Sequence, residues 1–361
     1  MKIALTHADL PNETKGGVAH QAHALGNVLA GRGHDVTFFT FSPAWDECRY
    51  QVRQLTPPRG RGLKRFGSFL FARALAGVDF SGFDMIHVNG DGYLIRRGPG
   101  RPPLLRTFYG SARDEAKSAV RLRRRVYQNV LSLLEARDAR NADLCVGISA
   151  ATQARIPAVS QIISCGVDLS RFRLGLKSAH PSVLFVGTAG GRKRGQFLAD
   201  VFTHAVRPRF PDAELWTVAD RPLMGGGGIV NHGRVSFEML GDLYRRAWVF
   251  CLPSTYEGFG VPYIEALASG TSVVASPNAG AREVLQNGAW GSLAEDADLG
   301  KSIVRLLGNP DERSTWETRG LERAGDFAWD RVAAQYERLY TDLIRAKNRA
   351  EPAAPFVEVA G

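Results

Sequence analysis

Short apolar runs alternate with longer amphipathic segments along most of the chain. The first two apolar runs, Ile3–Leu5 and Asp35–Thr40, flank an amphipathic segment from Val18 to Leu29 that ends at the turn Gly31–His34. A short apolar run bounded by turn residues is typical of a buried strand, and apolar residues at helical spacing indicate a helix. The beginning of the chain is therefore predicted to form a βαβ unit.

The alternation continues to about residue 325 and divides into two halves at the polar stretch Leu174–His180. Strands that alternate with helices form parallel sheets covered on both faces, so each half is predicted to be a doubly wound, Rossmann-like α/β domain. Further strands are expected at Asp84–Val88, Pro103–Phe108, Leu144–Ile148, Ser182–Val186, Glu214–Ala219, Ile229–Asn231, Trp248–Leu252 and Ser272–Ser276. Helices are expected at 121–140, Gln196–Val206, Glu238–Arg246, Arg282–Leu285 and from there to 346.

The chain has 361 residues, which favours two domains of ordinary size over one core. We expect these domains at residues 1–173 and 181–325, followed by a helix over 326–346 and a disordered tail over 347–361. Ligands of doubly wound sheets bind beyond the carboxyl ends of the strands, so the cleft between the domains is the expected site. No GxGxxG turn follows the first strand, and a dinucleotide cofactor is therefore not expected.

The composition indicates a cytoplasmic protein. No apolar run approaches the roughly 20 residues that span a bilayer, and the first residues enter a strand without a signal-like leader. The four cysteines lie far apart without CxxC spacing, which favours reduced thiols over a disulfide framework or a zinc site.

The net charge of +10 is concentrated in two clusters of the first half, Arg59–Arg65 and Arg121–Arg125. Such clusters attract polyanions and anionic membrane surfaces. No nucleic-acid-binding motif accompanies them, so nucleic acid is not an expected partner. The inner face of a membrane or a phosphorylated acceptor is the preferred partner, and the alternative is that both clusters are solvated helix faces.

Two acids eight positions apart, Glu257 and Glu265, flank a turn that contains Gly258 and Gly260 and follows the apolar run Ala247–Leu252. Glycines allow a backbone to approach a ligand closely, and the free N–H groups of the next helix favour an anion such as phosphate. The pattern predicts a phosphate site with two acids beside it, the second about two turns into the helix. The alternative is that Glu257 caps the helix and Glu265 is a solvated helix residue.

These residues resemble the signature region of glycosyltransferase family 4, whose members have the GT-B fold of two Rossmann-like domains facing a central cleft. Glu257 to Glu265 matches the family's E-x7-E motif, including Gly258-Phe259-Gly260. Further matches follow the family order along the chain, at Gly16-Gly17, Gly166-Val167-Asp168, Phe172 and Phe327–Asp330. The chain is identified as a member of this family, whose last helix packs back on the first domain.

The resemblance implies the roles of the donor-side residues. Glu257, Arg192 and Lys193 would be catalytic, with Glu257 on hydroxyls of the donor sugar and the two cations on the diphosphate. Glu265 would bind the ribose. The remaining donor-binding positions would be Gly16, Gly17, Arg234, Val235, Ser254, Gly258, Phe259 and Gly260. One common form of the family has an arginine where this chain has Thr188, and Arg192-Lys193 fits the alternative form. Arg194, which precedes Gly195, is a competing candidate for the phosphate contact.

The acceptor side departs from the family pattern. Asn89 and Tyr109 stand where members often have histidine, and His7 lies in the neighbouring loop. These three residues are the expected acceptor-binding positions. His87, in contrast, is expected to be a packed strand residue.

The resemblance implies a retaining glycosyltransferase that needs no metal or other cofactor. It would move a sugar from a nucleotide diphosphate-sugar to a hydroxyl of a glycan, lipid-linked or small-molecule acceptor, in polysaccharide or cell-envelope synthesis. The string Asp296-Ala297-Asp298 spells the DxD metal motif of another transferase class, but it follows the nucleotide motifs and is expected to bind no metal. The alternatives are a nucleotide-sugar epimerase on the same fold and a non-catalytic sugar-binding partner subunit.

Overall fold

The computed structural model describes residues 1–11, 16–44, 46–56, 67–98, 100–114 and 122–350, without the side chains of 122–125 and 350. The basic cluster Arg59–Arg65 and the side chains of the cluster Arg121–Arg125 therefore lie outside the described part of the chain. The loop at 12–15 and the end of the expected tail, 351–361, lie outside it as well.

The first half of the chain forms a parallel sheet of seven strands in the order β3-β2-β1-β4-β5-β6-β7. Central strand β1 pairs with β2 on one side and β4 on the other, with Ile3 opposite Val36 and Met85. The strand order reverses between β1 and β4, so the loops after these two strands meet at the carboxyl edge. The strands are β1 Lys2–Thr6, β2 Asp35–Thr40, β3 Gln51–Gln54, β4 Met85–Val88, β5 Leu104–Phe108, β6 Leu144–Gly147 and β7 Val159–Ile162.

The second half forms a parallel sheet of six strands in the order β10-β9-β8-β11-β12-β13. Its order reverses between β8 and β11, which pair through Val249 with Val183 and Phe250 with Leu184. The basic loop follows β8 and the turn with Glu257 follows β11, so the reversal brings these two motifs together. The strands are β8 Ser182–Gly187, β9 Glu214–Ala219, β10 Ile229–Asn231, β11 Val249–Leu252, β12 Ser272–Ala275 and β13 Ser292–Leu293.

The helices cover both faces of the sheets, which confirms the expected fold of two Rossmann-like domains. Several begin at a side chain that caps the first turn; the Ser236 hydroxyl, for example, accepts from the Met239 N–H. The helices are α1 Gly17–Gly31, α2 Gly67–Leu75, α3 Leu122–Asn141, α4 Ala150–Arg155, α5 Gly195–Val201, α6 Phe237–Arg246, α7 Val261–Ala268, α8 Ala279–Val284, α9 Leu299–Gly308, α10 Pro310–Ala324 and α11 Trp329–Ala350. No helix within the described ranges combines the length and the apolarity that crossing a bilayer requires.

Helix α11 crosses back to the first domain. Its residues Val332, Tyr336 and Tyr340 are buried in one apolar cluster with Ile3 and Leu5 of β1. The helix also encloses His87, whose Nδ1 lies 2.6 Å from the Tyr340 hydroxyl and whose Nε2 lies 2.8 Å from the Thr107 hydroxyl. Burial lowers the pKa of His87 to about 3, so this histidine is a neutral packing residue of its strand.

Three strands and the C-terminal region differ from the sequence-based expectations. Strands β3 and β7 lie at the sheet edges and have mostly polar, exposed residues, so no apolar run signals them. The chain after Leu285 is not continuously helical, because β13 intervenes before α9. Helix α11 continues to Ala350, so the expectation of disorder from residue 347 is wrong for 347–350.

The start of α11 depends on a glycine of the first domain. A Cβ at Gly166 would overlap the ring of Trp329, the first residue of α11. We therefore expect Gly166→Ala to reduce the free energy of unfolding by about 1–3 kcal/mol, since the tryptophan or the backbone must move. Urea unfolding of the purified protein measures the change. The control is Gly82→Ala, where a Cβ has no neighbour within 4 Å and the φ is not positive; an equal loss in both variants would contradict the explanation.

Candidate active site

The basic loop after β8 and the turn after β11 form one ionic cluster. The loop makes a short 3-10 turn at Gly191–Lys193, and the Thr255 N–H donates to the Arg192 carbonyl at 2.9 Å. The Oε1 of Glu257 lies 2.8 Å from Nη1 of Arg192 and 2.7 Å from Nζ of Lys193. Two adjacent cations therefore share one carboxylate oxygen of an acid that is far from them in the sequence.

Burial and charge oppose each other within this cluster. Glu257 is only 5% exposed, and burial alone would raise its pKa, but the neighbouring charges of Lys193 and Arg192 outweigh burial and lower it. Burial likewise lowers the pKa of Lys193, and Glu257 offsets part of that effect. The cluster holds two cations and one anion. An additional anion would therefore meet an excess positive charge here.

The turn itself is closely packed. Gly260 is the residue that caps α7, with φ at 104°, and a Cβ there would overlap the Tyr263 ring. The alternative that Glu257 caps this helix is thus wrong. The backbone N–H groups of 258–260 donate to no other described residue, so they remain available to an anion at the helix start.

The second acid lies nearer to the start of the helix than its spacing suggested. Glu265 is the fifth residue of α7, about one turn in, where two turns were expected. Burial raises its pKa to about 7, although the Tyr244 phenol and the charges of Lys193 and Arg171 act in the opposite direction. Glu265 is therefore not a solvated helix residue, and its protonation changes near neutral pH.

The acceptor-side residues lie at the carboxyl edge of the first sheet. The Tyr109 hydroxyl donates to Oδ1 of Asn89 at 2.9 Å, and Asn89 is 1% exposed. The Nδ2 of Asn89 is buried without a hydrogen-bond partner among the described residues. His7 Nδ1 lies 2.6 Å from the Asp9 carbonyl, and burial lowers the pKa of His7. This edge is thus polar and uncharged at Asn89, Tyr109 and His7.

The two edges face each other across the cleft. A Cβ at Gly258 would lie 3.2 Å from the Tyr109 carbonyl oxygen, so the turn after β11 reaches the loop after β5. Farther along the cleft, the rings of His20 from α1 and Phe237 from α6 are 4.7 Å apart. The structure thereby brings the ionic cluster and the Asn89–Tyr109 pair to one cleft.

The remaining expected site residues lie at the starts of helices and in the turn after β11. Gly16 caps α1 and Gly17 is its first residue. Arg234 and Val235 immediately precede Ser236, the capping residue of α6, and Val235 packs against the core of the second domain. Ser254, which lies in the turn after β11, is fully buried.

Comparisons with known proteins place the chain in a family. A model described as Glycosyltransferase Family 4 matches residues 15–171, and one described as Glycosyl transferases group 1 matches residues 180–309. Phosphatidyl-myo-inositol mannosyltransferase of Mycolicibacterium smegmatis is 25% identical over 97% of this chain and 96% of its own. The chain belongs to glycosyltransferase family 4. The protein is therefore a glycosyltransferase, as the sequence predicted.

Other similar proteins agree with this family. MMP alpha-(1->4)-mannosyltransferase of Mycolicibacterium hassiacum is 30% identical over 68% of this chain and 60% of its own. Sucrose-phosphate synthase from Thermosynechococcus elongatus superposes with a TM-score of 0.80, at 24% identity, over 96% of this chain and 99% of that one. The Anabaena HepE protein in complex with UDP-glucose superposes with a TM-score of 0.73, at 16% identity, over 95% and 100% of the two chains. These structural likenesses confirm the GT-B fold.

In the basic loop after β8, the environment of Arg194 differs from that of Arg192 and Lys193. Its backbone is left-handed, with φ at 54°, and its Nε donates to the Pro253 carbonyl at 2.6 Å. Both terminal nitrogens bind Asp296 at 2.7 Å. The Arg194 guanidinium thus connects the basic loop to Asp296, whereas Arg192 and Lys193 pair with Glu257.

The acids of the DxD-like string are paired with cations. Asp296 binds Arg194, and the Asp298 carboxylate lies 2.8 Å from Nζ of Lys301. Within the described ranges, no group of three or more His, Cys, Asp or Glu side chains could hold a metal ion.

The sequence analysis did not identify two residues of the cleft, Arg171 and Phe237. The Arg171 guanidinium lies 5.0 Å from the centre of the Phe237 ring, and its charge acts on both His20 and Glu265. Arg171 lies three positions after the Gly166-Val167-Asp168 motif, which marks only the end of the first domain. Nothing in the local pattern indicates that it returns to the cleft.

The raised pKa of Glu265 has a consequence for stability. Its pKa of about 7 lies above the usual carboxyl value, so the folded state binds the proton more tightly than the unfolded state does. Stability should therefore fall as pH rises from about 4.5 to 7, by on the order of 3 kcal/mol from this group. In Glu265→Gln this contribution should disappear. Denaturant unfolding of both proteins across this pH range measures it, and parallel pH profiles would contradict the assignment.

Proposed function

We propose that this glycosyltransferase transfers a hexose from a nucleotide diphosphate-sugar to a hydroxyl of a lipid-linked or glycan acceptor, in cell-envelope or polysaccharide synthesis, with retention and without a metal. Mannose is the first sugar to test, because two relatives are named as mannosyltransferases. A structural neighbour was solved with UDP-glucose, so UDP-glucose belongs in the test beside a nucleotide-linked mannose donor.

The observation that carries this proposal is the cluster of Glu257 with Arg192 and Lys193. As the bond between sugar C1 and the distal phosphate oxygen breaks, negative charge grows on the diphosphate. Two cations at this point would stabilise that charge, and the low exposure of the Lys193 side chain, 14%, strengthens its interaction. The free N–H groups at 258–260 would bind the distal phosphate.

Glu257 has a double role in this proposal. Its carboxylate holds both cations in place, and its remaining acceptor capacity would orient hydroxyls of the donor sugar. Glu265 would bind the ribose, with Arg234 and Val235 against the base. Gly16, Gly17, Ser254 and Phe259 would complete the donor site.

Asn89, Tyr109 and His7 would bind the acceptor. The unpartnered amide of Asn89 is a donor for a sugar or inositol-like hydroxyl, and Tyr109 fixes the amide from the other side. The acceptor oxygen would form its bond to C1 while its proton passes to the leaving phosphate. No protein base is required for that step.

We expect Lys193→Ala and Glu257→Gln each to lower the rate of transfer by about 10²–10³-fold, since each removes part of the charge stabilisation. Transfer is measured with labelled nucleotide sugars and a lipid-extract acceptor. Asp298→Asn is the matched control. It removes a charge from the same domain, but from the exposed ion pair with Lys301 and not from the Glu257 cluster. Unchanged transfer in Lys193→Ala would refute the site. Accumulation of an isomerised nucleotide sugar without acceptor would instead indicate an epimerase.

Donor binding should raise the melting temperature, because the nucleotide sugar binds only the folded state. GDP-mannose and UDP-glucose are compared, with the wild type and with Arg192→Ala. We expect one nucleotide sugar to stabilise the wild type and the shift to shrink or vanish in Arg192→Ala. Equal shifts in both proteins would show that the diphosphate does not lie at Arg192.

A further inference from the structure

Arg171 is held in a fixed position where the chain leaves the first domain. Its N–H donates to the Asp168 carboxylate at 3.3 Å, and its carbonyl accepts from Nη2 of Arg245 at 3.4 Å. A Cβ at Gly241 would lie 3.4 Å from Cγ of Arg171, so this glycine of α6 leaves room for the arginine stem. The guanidinium carbon lies 5.0 Å from the centre of the Phe237 ring. Helix α6 thus positions both the stem and the guanidinium.

Among the described residues, no acid pairs with this guanidinium. The neighbouring Asp168 uses its Oδ1 to accept the backbone N–H groups of Ser170 and Arg171. Arg171 is partly buried, and a cation that has lost part of its hydration without gaining a counter-ion is stabilised when an anion binds beside it. The position therefore favours an anionic ligand.

The first turn of α1 lies beside the same aromatic ring. His20, the fourth residue of α1, has its ring centre 4.7 Å from that of Phe237. Burial, together with the charge of Arg171, lowers the pKa of His20 to about 4, so this histidine is neutral. No described side chain caps the helix at Gly16, its first turn contains no acid, and a Cβ at Gly17 would meet nothing within 4 Å. An unpaired arginine and the open N-terminus of a helix therefore occur together, and both attract an anion.

The charges along the cleft place Arg171 at the end where Glu265 lies. Burial acts to raise the pKa of both acids, and neighbouring cations oppose it. At Glu257 the principal cations are Lys193 and Arg192, and at Glu265 they are Lys193 and Arg171. The three cations therefore extend from the first acid to the second, with Lys193 between the other two.

We propose that Arg171 binds the proximal phosphate of the nucleotide, the one attached to the ribose. This inference rests on the proposed function, in which Glu265 binds the ribose and the N–H groups at 258–260 bind the distal phosphate. The two phosphates of a diphosphate are joined through one oxygen, so a row of cations from the first acid to the second matches them in order. A guanidinium donates two parallel N–H groups to phosphate oxygens, which gives the contact direction as well as charge.

The test compares the affinities of ligands that differ by one phosphate: a nucleoside, its 5′-monophosphate and its 5′-diphosphate, each with guanine and with uracil as the base. Arg171→Met removes the charge and keeps a stem over Gly241 and Phe237. We expect this variant to bind the monophosphate and the diphosphate about 10–100-fold more weakly, with nucleoside binding unchanged. Arg171→Lys should recover part of the affinity, because it restores the charge. Titration calorimetry measures the dissociation constants.

Three further variants serve as controls. Arg173→Met removes an exposed arginine two positions along the same segment and should leave every affinity unchanged. Arg192→Ala should weaken binding of the diphosphate more than that of the monophosphate, since Arg192 pairs with Glu257 at the other end of the row. The melting temperature without ligand checks that each variant is folded, and Arg171→Gln provides a second neutral variant.

The outcomes separate this assignment from the transfer reaction. Equal affinities of the wild type and Arg171→Met for the monophosphate and the diphosphate would overturn it, even if the protein transfers a hexose. A loss confined to the diphosphate, a loss that includes the nucleoside, or a wild type that binds none of these nucleotides would overturn it as well. Affinity for both phosphorylated ligands that depends on Arg171, without transfer of any hexose, would support the assignment while the proposed reaction fails.

Discussion

The carboxylate of Glu257 is held between two cations that come from a loop 64 residues away in the sequence. An isolated buried carboxylate would be strongly unfavourable, and breaking a buried pair costs about 3–5 kcal/mol because the remaining charge stays in the interior. The arrangement is stable because Lys193 and Arg192 approach the same oxygen while the Arg192 carbonyl accepts the Thr255 N–H. The loop after β8 is thus fixed against the turn after β11 before any ligand binds. In the proposed function, this preorganisation would let the two cations stabilise a diphosphate without further rearrangement.

The relative orientation of the two domains depends on a second constraint. The chain passes between them twice, and the two crossings touch: Val167 pairs with Ala328 in an isolated parallel bridge, and its N–H donates to the Phe327 carbonyl at 2.9 Å. Trp329 packs on Gly166 at the same place. Phe327 of the second crossing also packs against Phe259 of the turn after β11, with ring centres 5.6 Å apart. The crossings therefore contact the edge of the cleft that carries Glu257.

The sequence predicted the central strands well, because strands buried on both faces are nearly continuous apolar runs, as in Val249–Leu252. The edge strands β3 and β7 lack that signal. Motif resemblance found Glu257, Arg192 and Lys193, but their shared contact depends on the β8–β11 pairing, which spacing alone does not encode. The sequence also could not distinguish Arg194 from Arg192 and Lys193 as a phosphate contact. In the structure its backbone is left-handed and its side chain pairs with Asp296. The roles of the site residues remain predictions until substitutions test them.

The two edges of the cleft differ in charge, and this difference bears on how an acceptor is selected. The edge with Glu257 carries two cations for one carboxylate, and in the proposed function this excess charge would attract a diphosphate from solution. The acceptor edge offers an amide, a phenol and a histidine that is uncharged at neutral pH, and such groups recognise a hydroxyl only weakly in water. Weak recognition suffices if the acceptor is already concentrated at the cleft. Confinement to a surface provides that concentration, because a second contact within a tethered complex is made at a high effective concentration.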